Sequence, residues 1–484
     1  MPATKLRVAS SRAVRTSINR AELQFTECWD TLASLRSRRV GRIIDFQTTL
    51  GQALRELSLA YTDLAAARDR LVKRKRFLDP GWFQRRQASL AALQGAIRQT
   101  LAIGRALGDA FAWFFYQKSR EILAAHLAHP REDRLLTGRG GAGEIEFVKN
   151  IRVLAGCFVL HHGITSMLRI GDVSLIDLDS LSVRALGELK TTPVDSQTSR
   201  VSVTLISGAS LDLGHGFADI PKATHVTPST VAPRFRRQIA RMVKTMAPSQ
   251  TPHPHIDVPL ARDTRAAHLG RILANSAGRM ILCERLSDAL VIVVVRHRGR
   301  LFSRLTATLP PSFGLGLSEV VPPMALPNSK HNAILLRSLQ YDHGGDSHVL
   351  RGAIPLFWSR IEPELLRPII LGEAIALSIY NPAHLLAKVE AQGFEVLPGR
   401  RPGDYVFEKR EGDQTLRLEH SWYFVDLAAS YLWEEDALVQ LITDSIRQIG
   451  ELAPDGPVRV DFKFEHLLNS PSRLRRPMSG ATTP

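Results

Sequence analysis

From Ile43 onward, apolar residues recur at every seventh position, at Ile43, Leu50, Leu57, Leu64 and Leu71, with Leu54 and Tyr61 filling the seam between them. This spacing lays one apolar stripe along a helix and predicts a long, coiled-coil-like element that packs along it. Asp79-Pro80-Gly81 then breaks the pattern, because proline inside a helix removes a hydrogen bond and clashes with the preceding turn, and glycine weakens a helix. A second helical pattern resumes through Leu90, Leu93, Ile97 and Leu101 towards the aromatic run Phe111 to Tyr116, so an antiparallel helical hairpin is expected within residues 1–136. Its bend gathers Arg70, Lys73, Arg74, Lys75, Arg76, Arg85 and Arg86, which can either meet phosphates or form a solvated tip. Ahead of the hairpin, Met1 to Arg20 is rich in Arg and Ser, contains no acid and has no apolar signal core; it reads as a frayed basic arm.

The glycine-rich stretch Thr137 to Gly143 (TGRGGAG) reads as a flexible hinge, after which the pattern becomes helix, strand, strand, helix, strand. Glu144 to His161 is expected to be an amphipathic helix, and Leu168 to Ile176, Val183 to Thr191 and Arg200 to Ile206 strands. Pro233 opens a basic helix over Arg234 to Met246, and the β-branched run in Asp288 to His297 predicts a central buried strand. Beyond Leu301, helices are expected at Glu362 to Leu377, Pro382 to Ala391 and Glu434 to Leu452, and strands at Tyr405 to Arg410 and Thr415 to His420. The predicted class is α/β, divided into a helical hairpin (1–136), an α/β core (137–300), a C-terminal α/β region (301–468) and a Ser, Pro and Arg rich disordered tail (469–484).

A chain of 484 residues exceeds what one hydrophobic core organises, so several domains are expected. With 63 Lys and Arg against 47 Asp and Glu, the net charge of +16 favours polyanionic partners, nucleic acid first, although free use of Arg by a GC-rich genome gives the same balance. Cys28, Cys157 and Cys283 lie far apart without zinc or disulfide spacing and read as reduced thiols of a cytoplasmic protein. The longest apolar run, Ala289 to Val295, is far short of the roughly 20 residues a membrane helix needs, so no membrane span is expected.

The candidate chemistry lies in Ile170-Gly171-Asp172-Val173-Ser174-Leu175-Ile176 and, after a turn, Ala185-Leu186-Gly187-Glu188-Leu189-Lys190. Side chains alternate along a strand, so Glu188 and Lys190 share one face while Leu189 points to the other. Asp172 and Glu188 are hard oxygen donors suited to Mg²⁺, with Mn²⁺ also possible, and Lys190 can orient an attacking water. On its own, Glu-x-Lys is equally an ion pair on an exposed strand. His161-His162 is expected to close the first core helix and satisfy its carbonyls, and His253-Pro254-His255 reads as loop.

Gly171-Asp172 followed by Glu188-Leu189-Lys190 resembles the PD-(D/E)xK nuclease superfamily, over about Gly143 to His297. The resemblance implies a restriction endonuclease-like mixed-sheet core and a metal-dependent endonuclease, with DNA as substrate, acting in restriction, repair or antiviral defence. It adds Glu144 from the first helix to the catalytic set, with Glu146 as the alternative, and Gln238 from the second helix. The basic helix would hold the backbone through Arg234, Arg236, Arg237 and Arg241. Gly171 stands where the family name has proline, and the segment Pro193 to Val231 is longer than a minimal core needs. The rival reading is a non-catalytic nucleic-acid-binding scaffold whose N-terminal helices drive homo-oligomerisation or hold a partner subunit.

Overall fold

The seven-residue stripe forms the centre of a helical layer. In the computed structural model, α1 (Ser11–Arg36), α2 (Ile43–Lys73) and α3 (Pro80–Tyr116) pack side by side. Ile43, Leu50, Leu57, Leu64 and Leu71 are all buried. Asp79 caps α3 by accepting the Trp82 N–H (2.7 Å), and Pro80 follows where a helix requires no N–H. Pairings from Arg68–Gln94 near the bend to Phe46–Phe111 near the other end establish that α2 and α3 run antiparallel. Residues 11–36, 42–130, 135–151, 153–154, 156–193, 199–207, 233–247, 258–259, 265–306, 317–339, 356–359, 361–399, 404–412, 414–418, 421–452 and 462–463 are described.

The chain is mixed α/β and divides into two units: one holds the described residues of Met1–Pro248 and Gly299–Thr306, the other those of Ser249–Arg298 and Ala307–Ser470. In the first unit, α4 (Arg120–Ala128) and α5 (Gly138–Asn150) precede a five-stranded sheet. Its strands are β1 (Val153–Leu154), β2 (Cys157–His161), β3 (Val173–Asp177), β4 (Ser182–Pro193) and β5 (Ser199–Ser207), in chain order and antiparallel throughout. Phe147 and Val148 of α5 pack on one face with Val159, Val173, Leu175 and Ala185. On the other face Phe158 meets Phe111 and Phe115 of α3. Helix α6 (Pro233–Met246) packs against β4, β5 and α4, and α8 (Leu301–Leu305) returns to α1 through Arg304–Glu22 (2.8 Å). Gly108 permits the tightest approach, since a Cβ there would stand 1.9 Å from the Ile164 carbonyl oxygen.

One side chain joins the helical layer to the sheet. Strand β1 covers only the first part of β2, and beyond it the amide of Gln47 takes the place of a neighbouring peptide. Its Nε2 donates to the Val159 carbonyl (2.8 Å) and its Oε1 accepts the His161 N–H (2.7 Å), all buried. A strand edge left unpaired in the interior would forfeit both bonds.

The second unit contains the short strand β6 (Val258–Pro259), helix α7 (Ala266–Asn275) and a four-stranded antiparallel sheet, in the order β7 (Ile281–Arg285), β8 (Leu290–Arg296), β10 (Ala374–Tyr380), β9 (Leu335–Ser338). It also has a three-stranded sheet over residues 395–418 and a buried ion pair between Arg265 and Glu435 (2.5 Å). No helix among the described residues is long and apolar enough to cross a membrane, and all three cysteines are free thiols.

Several expectations are corrected. Ser11 to Arg20 is not a frayed arm but the start of α1, with Val14 and Ile18 buried under the layer. The glycine-rich stretch is not a hinge, for Gly138 to Gly143 begin α5, and the lack of a side chain at Gly143 lets it lie directly against Thr191. Glu144 to His161 is not one helix, because α5 stops at Asn150 and β2 follows. Glu362 to Leu377 is a helix (Pro363–Ile370) and then strand β10, separated at Gly372, where φ is positive. The core sheet is antiparallel rather than mixed, since its strands follow one another without a crossover helix. The strand at Val291 to Val295 belongs to the other unit, paired with β10. The stripe on α2 packs within the chain, against α1 and α3. His253-Pro254-His255 and residues 469–484 lie outside the described residues.

Two substitutions test this arrangement. Gln47→Leu should lower unfolding free energy by about 2–4 kcal/mol, because two buried backbone groups lose their partners. Gly108→Ala should cost at least as much, since a backbone carbonyl would have to move. A change within about 0.5 kcal/mol for either, measured by urea unfolding, would contradict the described packing.

Candidate functional site

Asp172 precedes the first residue of β3. Gly171, at φ +74°, turns the chain into the strand, and the Asp172 N–H donates to the Gly187 carbonyl (2.7 Å) while Val173 pairs with Gly187. Beyond that point β3 no longer supplies a backbone partner for β4, and the Asp172 carboxylate substitutes: its Oδ2 accepts the Leu189 N–H (2.7 Å). Asp172 is therefore buried and fixed across from Glu188-Leu189-Lys190. Leu189 lies on the α5 face with Val201 and Val203, so alternation sends Glu188 and Lys190 to the opposite face, Glu188 half-buried and Lys190 exposed.

Glu144 lies on α5, but its carboxylate is hydrogen-bonded to His161 Nε2 (3.1 Å), on the α5 side of the sheet, both groups being buried. Among the described residues no group of three or more His, Cys, Asp or Glu is placed to hold a metal. Two hard carboxylates, Asp172 and Glu188, remain as cross-strand neighbours. This donor set fits a Mg²⁺ that keeps waters and takes phosphate oxygens for the rest of its shell.

Helix α6 brings positive charge to this end of the sheet. Met242 and Met246 are buried, and Met242 sits beside Gly171, while Arg236, Arg237, Arg241 and Lys244 are exposed. Gln238 is half-buried, and Arg234 belongs to the helix with its side chain outside the described residues. His129, after α4, is held below the usual histidine range by burial and then by Arg241, Arg169 and Lys244, so these cations crowd around one point.

No protein-family model, no curated protein and no solved structure matches this chain.

Sequence reasoning misses the polar network that holds Asp172 in place. The segment between β2 and β3 begins with the turn His162–Ile164, and the Asp109 carboxylate of α3 accepts from Thr165 Oγ1, from the N–H groups of Ser166 (2.6 Å) and Met167 (3.1 Å), and from Ser166 Oγ (2.6 Å). His126 Nδ1 accepts from the Arg169 and Ile170 N–H groups (3.0 Å each). Accepting at Nδ1 leaves the proton on Nε2, which donates to Tyr116 Oη (3.3 Å). Tyr116 then donates to Ser174 Oγ (2.5 Å), and Ser174 donates to His162 Nε2 (2.5 Å). His162 Nδ1–H closes the chain on the Gly171 carbonyl (3.2 Å), and its backbone N–H bonds the Asp172 carbonyl (2.8 Å). The paired histidines thus close no helix: His161 ends β2, and His162 holds the turn into the Asp172 strand. A lone carboxylate in the apolar run Leu107 to Phe111 was the one sequence signal for Asp109.

The two backbone donors at His126 fix the direction of the whole chain, and all four side chains are buried. Burial holds His126 down to about 3, followed in effect by His129 and Arg169. The unfolded chain, with an ordinary histidine, takes up a proton that the native state refuses, so this group's contribution to stability is present at neutral pH and lost as pH falls from about 6.5 towards 3. Wild-type unfolding free energy should therefore decline on acidification before the carboxylates titrate, and His126→Asn should flatten that decline while lowering stability at pH 7. Equal acid slopes for the two proteins would argue against a neutral His126. Ser174→Ala and Tyr116→Phe should each cost about 1–3 kcal/mol and be strongly non-additive in a double-mutant cycle, since each interrupts the same chain.

Proposed function

We propose that the first unit is a divalent-metal-dependent nuclease that hydrolyses phosphodiester bonds, DNA being the favoured substrate. The observation that carries this reading is the bond from the Leu189 N–H to Asp172, which holds one carboxylate across from a second, Glu188, with Lys190 on the face of Glu188 and the basic helix α6 beside Gly171. Asp172 and Glu188 would hold Mg²⁺ or Mn²⁺, which supplies a water of lowered pKa and neutralises phosphate charge when bound. Lys190 orients the nucleophile and supports the charge that develops on phosphorus-bound oxygens. Arg236, Arg237 and Arg241 take the neighbouring phosphates, with Arg234 and Gln238 on the same helix.

The order of helix, Asp strand, Glu-x-Lys strand, further strand and basic helix supports a restriction endonuclease-like ancestry, and with it a role in restriction, repair or defence against foreign DNA. The antiparallel sheet departs from that family's mixed one. A second reading, a nucleic-acid-binding scaffold without catalysis, is favoured by the burial of Asp172 and by the engagement of Glu144 with His161.

Cleavage of plasmid and single-stranded DNA with Mg²⁺, Mn²⁺ or EDTA separates the two. Metal-dependent cutting should fall at least about 100-fold in Glu188→Gln and Lys190→Ala, with DNA affinity changed by no more than about threefold. Asp172→Ala is the weaker probe, because it also removes a structural acceptor. Binding by wild type without cutting in any metal would establish the scaffold.

A further inference from the structure

The tip of the α2–α3 hairpin combines charge and exposed aromatic rings at a distance from the site above. Helix α2 is anchored to the sheet at Gln47 and runs on to Lys73, a span of roughly 40 Å at 1.5 Å per residue. Between Arg70 and Arg86, seven basic side chains stand against one carboxylate, Asp79, and that carboxylate is occupied in capping α3. Lys73, Arg74, Lys75, Arg76 and Arg85 are exposed. Among them Phe77 is 73% exposed and Trp82 46% exposed, with Arg76 stacked 4.6 Å over Phe77 and Lys75 over the buried Phe83.

We propose that this tip is a second nucleic-acid site, specific for single strands, in which unpaired bases stack on Phe77 and Trp82 while the surrounding cations take the phosphates. Exposed aromatic rings gain little from the outside of a duplex, whose bases are already stacked, but they offer π-faces to any unpaired base. The same mixture of residues can approach an anionic lipid surface, yet the guanidinium held over Phe77 would have to follow the ring into the acyl region, which opposes insertion. At roughly 3.4 Å per base step, the tip stands about twelve steps from the sheet that carries Asp172. A flap, fork or bubble could thus occupy the tip while duplex lies along α6. This placement rests on the proposed nuclease reading; single-strand binding by the tip does not.

The test uses the full-length protein in EDTA, with fluorescence anisotropy of labelled oligothymidylate and of a matched duplex, and sedimentation with phosphatidylserine vesicles. Phe77→Ala/Trp82→Ala should weaken oligothymidylate binding at least about tenfold and duplex binding less than about twofold. Arg74→Glu/Lys75→Glu/Arg76→Glu should weaken both and flatten the salt dependence. All five positions are exposed, so circular dichroism and the unfolding midpoint should not change. Undiminished oligothymidylate affinity in the aromatic double variant, absence of single-strand binding by wild type, or vesicle binding as the sole property lost would each overturn the inference. A protein that never cuts DNA but loses single-strand affinity through the tip retains this site and loses the proposed activity; one that cuts but binds single strands unaltered does the reverse.

Discussion

The first unit depends on satisfying a buried stretch of irregular backbone. Between β2 and β3 the chain leaves the sheet, passes against α3 at Gly108 and returns at Asp172, with most of His162 to Asp172 buried. Backbone groups there have no ladder to join, and each left without a partner would cost as much as a lost hydrogen bond. Side chains from the helices supply the partners: Asp109 for Ser166 and Met167, Arg105 for the Thr165 carbonyl, His126 for Arg169 and Ile170. Arg169 reaches back to the carbonyls of Leu127 and His129. The helical layer and the sheet are consequently one cooperative object, and the position of Asp172 is a property of α3 and α4 as much as of its own strand.

This explains which parts of the fold were legible. Helices α2 and α3 declare themselves because each has one buried stripe and a polar remainder, the pattern that a 3.6-residue repeat writes into a sequence. Strand β2 does not, because Cys157 to His161 is buried on both faces, so alternation vanishes and the run looks like the continuation of an amphipathic helix. Leu290 to Arg296 was recognisable as a buried strand, but its neighbour Ala374 to Tyr380 is distant in the chain and starts inside a segment of helical pattern. Strand identity is written locally; strand pairing is not.

The candidate site follows the same division. Glu188 and Lys190 could be placed from strand period alone, and α6 from its basic amphipathic pattern, whereas Asp172, expected inside a strand over Leu168 to Ile176, stands just before β3 at the end of an irregular segment. Glu144 was assigned to the correct helix, but the partner that claims its carboxylate, His161, lies on a strand that the sequence pattern hides. The chain from His126 through Tyr116 and Ser174 to His162 joins four separate elements, and none of its members has a neighbour in sequence that points to the others.

Position bears on the ambiguity of the net charge. Free use of arginine would scatter cations among acids across the surface, whereas here the hairpin tip and α6 together carry twelve of the 63 basic residues and one of the 47 acids, leaving the other segments close to balance. Both concentrations lie on exposed faces of the first unit, one crowding His129 beside the Asp172 turn and the other at the far end of α2. Like charges held together cost stability unless a counter-charge arrives, and counterions condensed on a polyanion are released when such clusters replace them. The two clusters are destabilising features in the isolated chain, and on the nucleic acid proposed as their ligand they would become favourable; their separation would then call for an extended one.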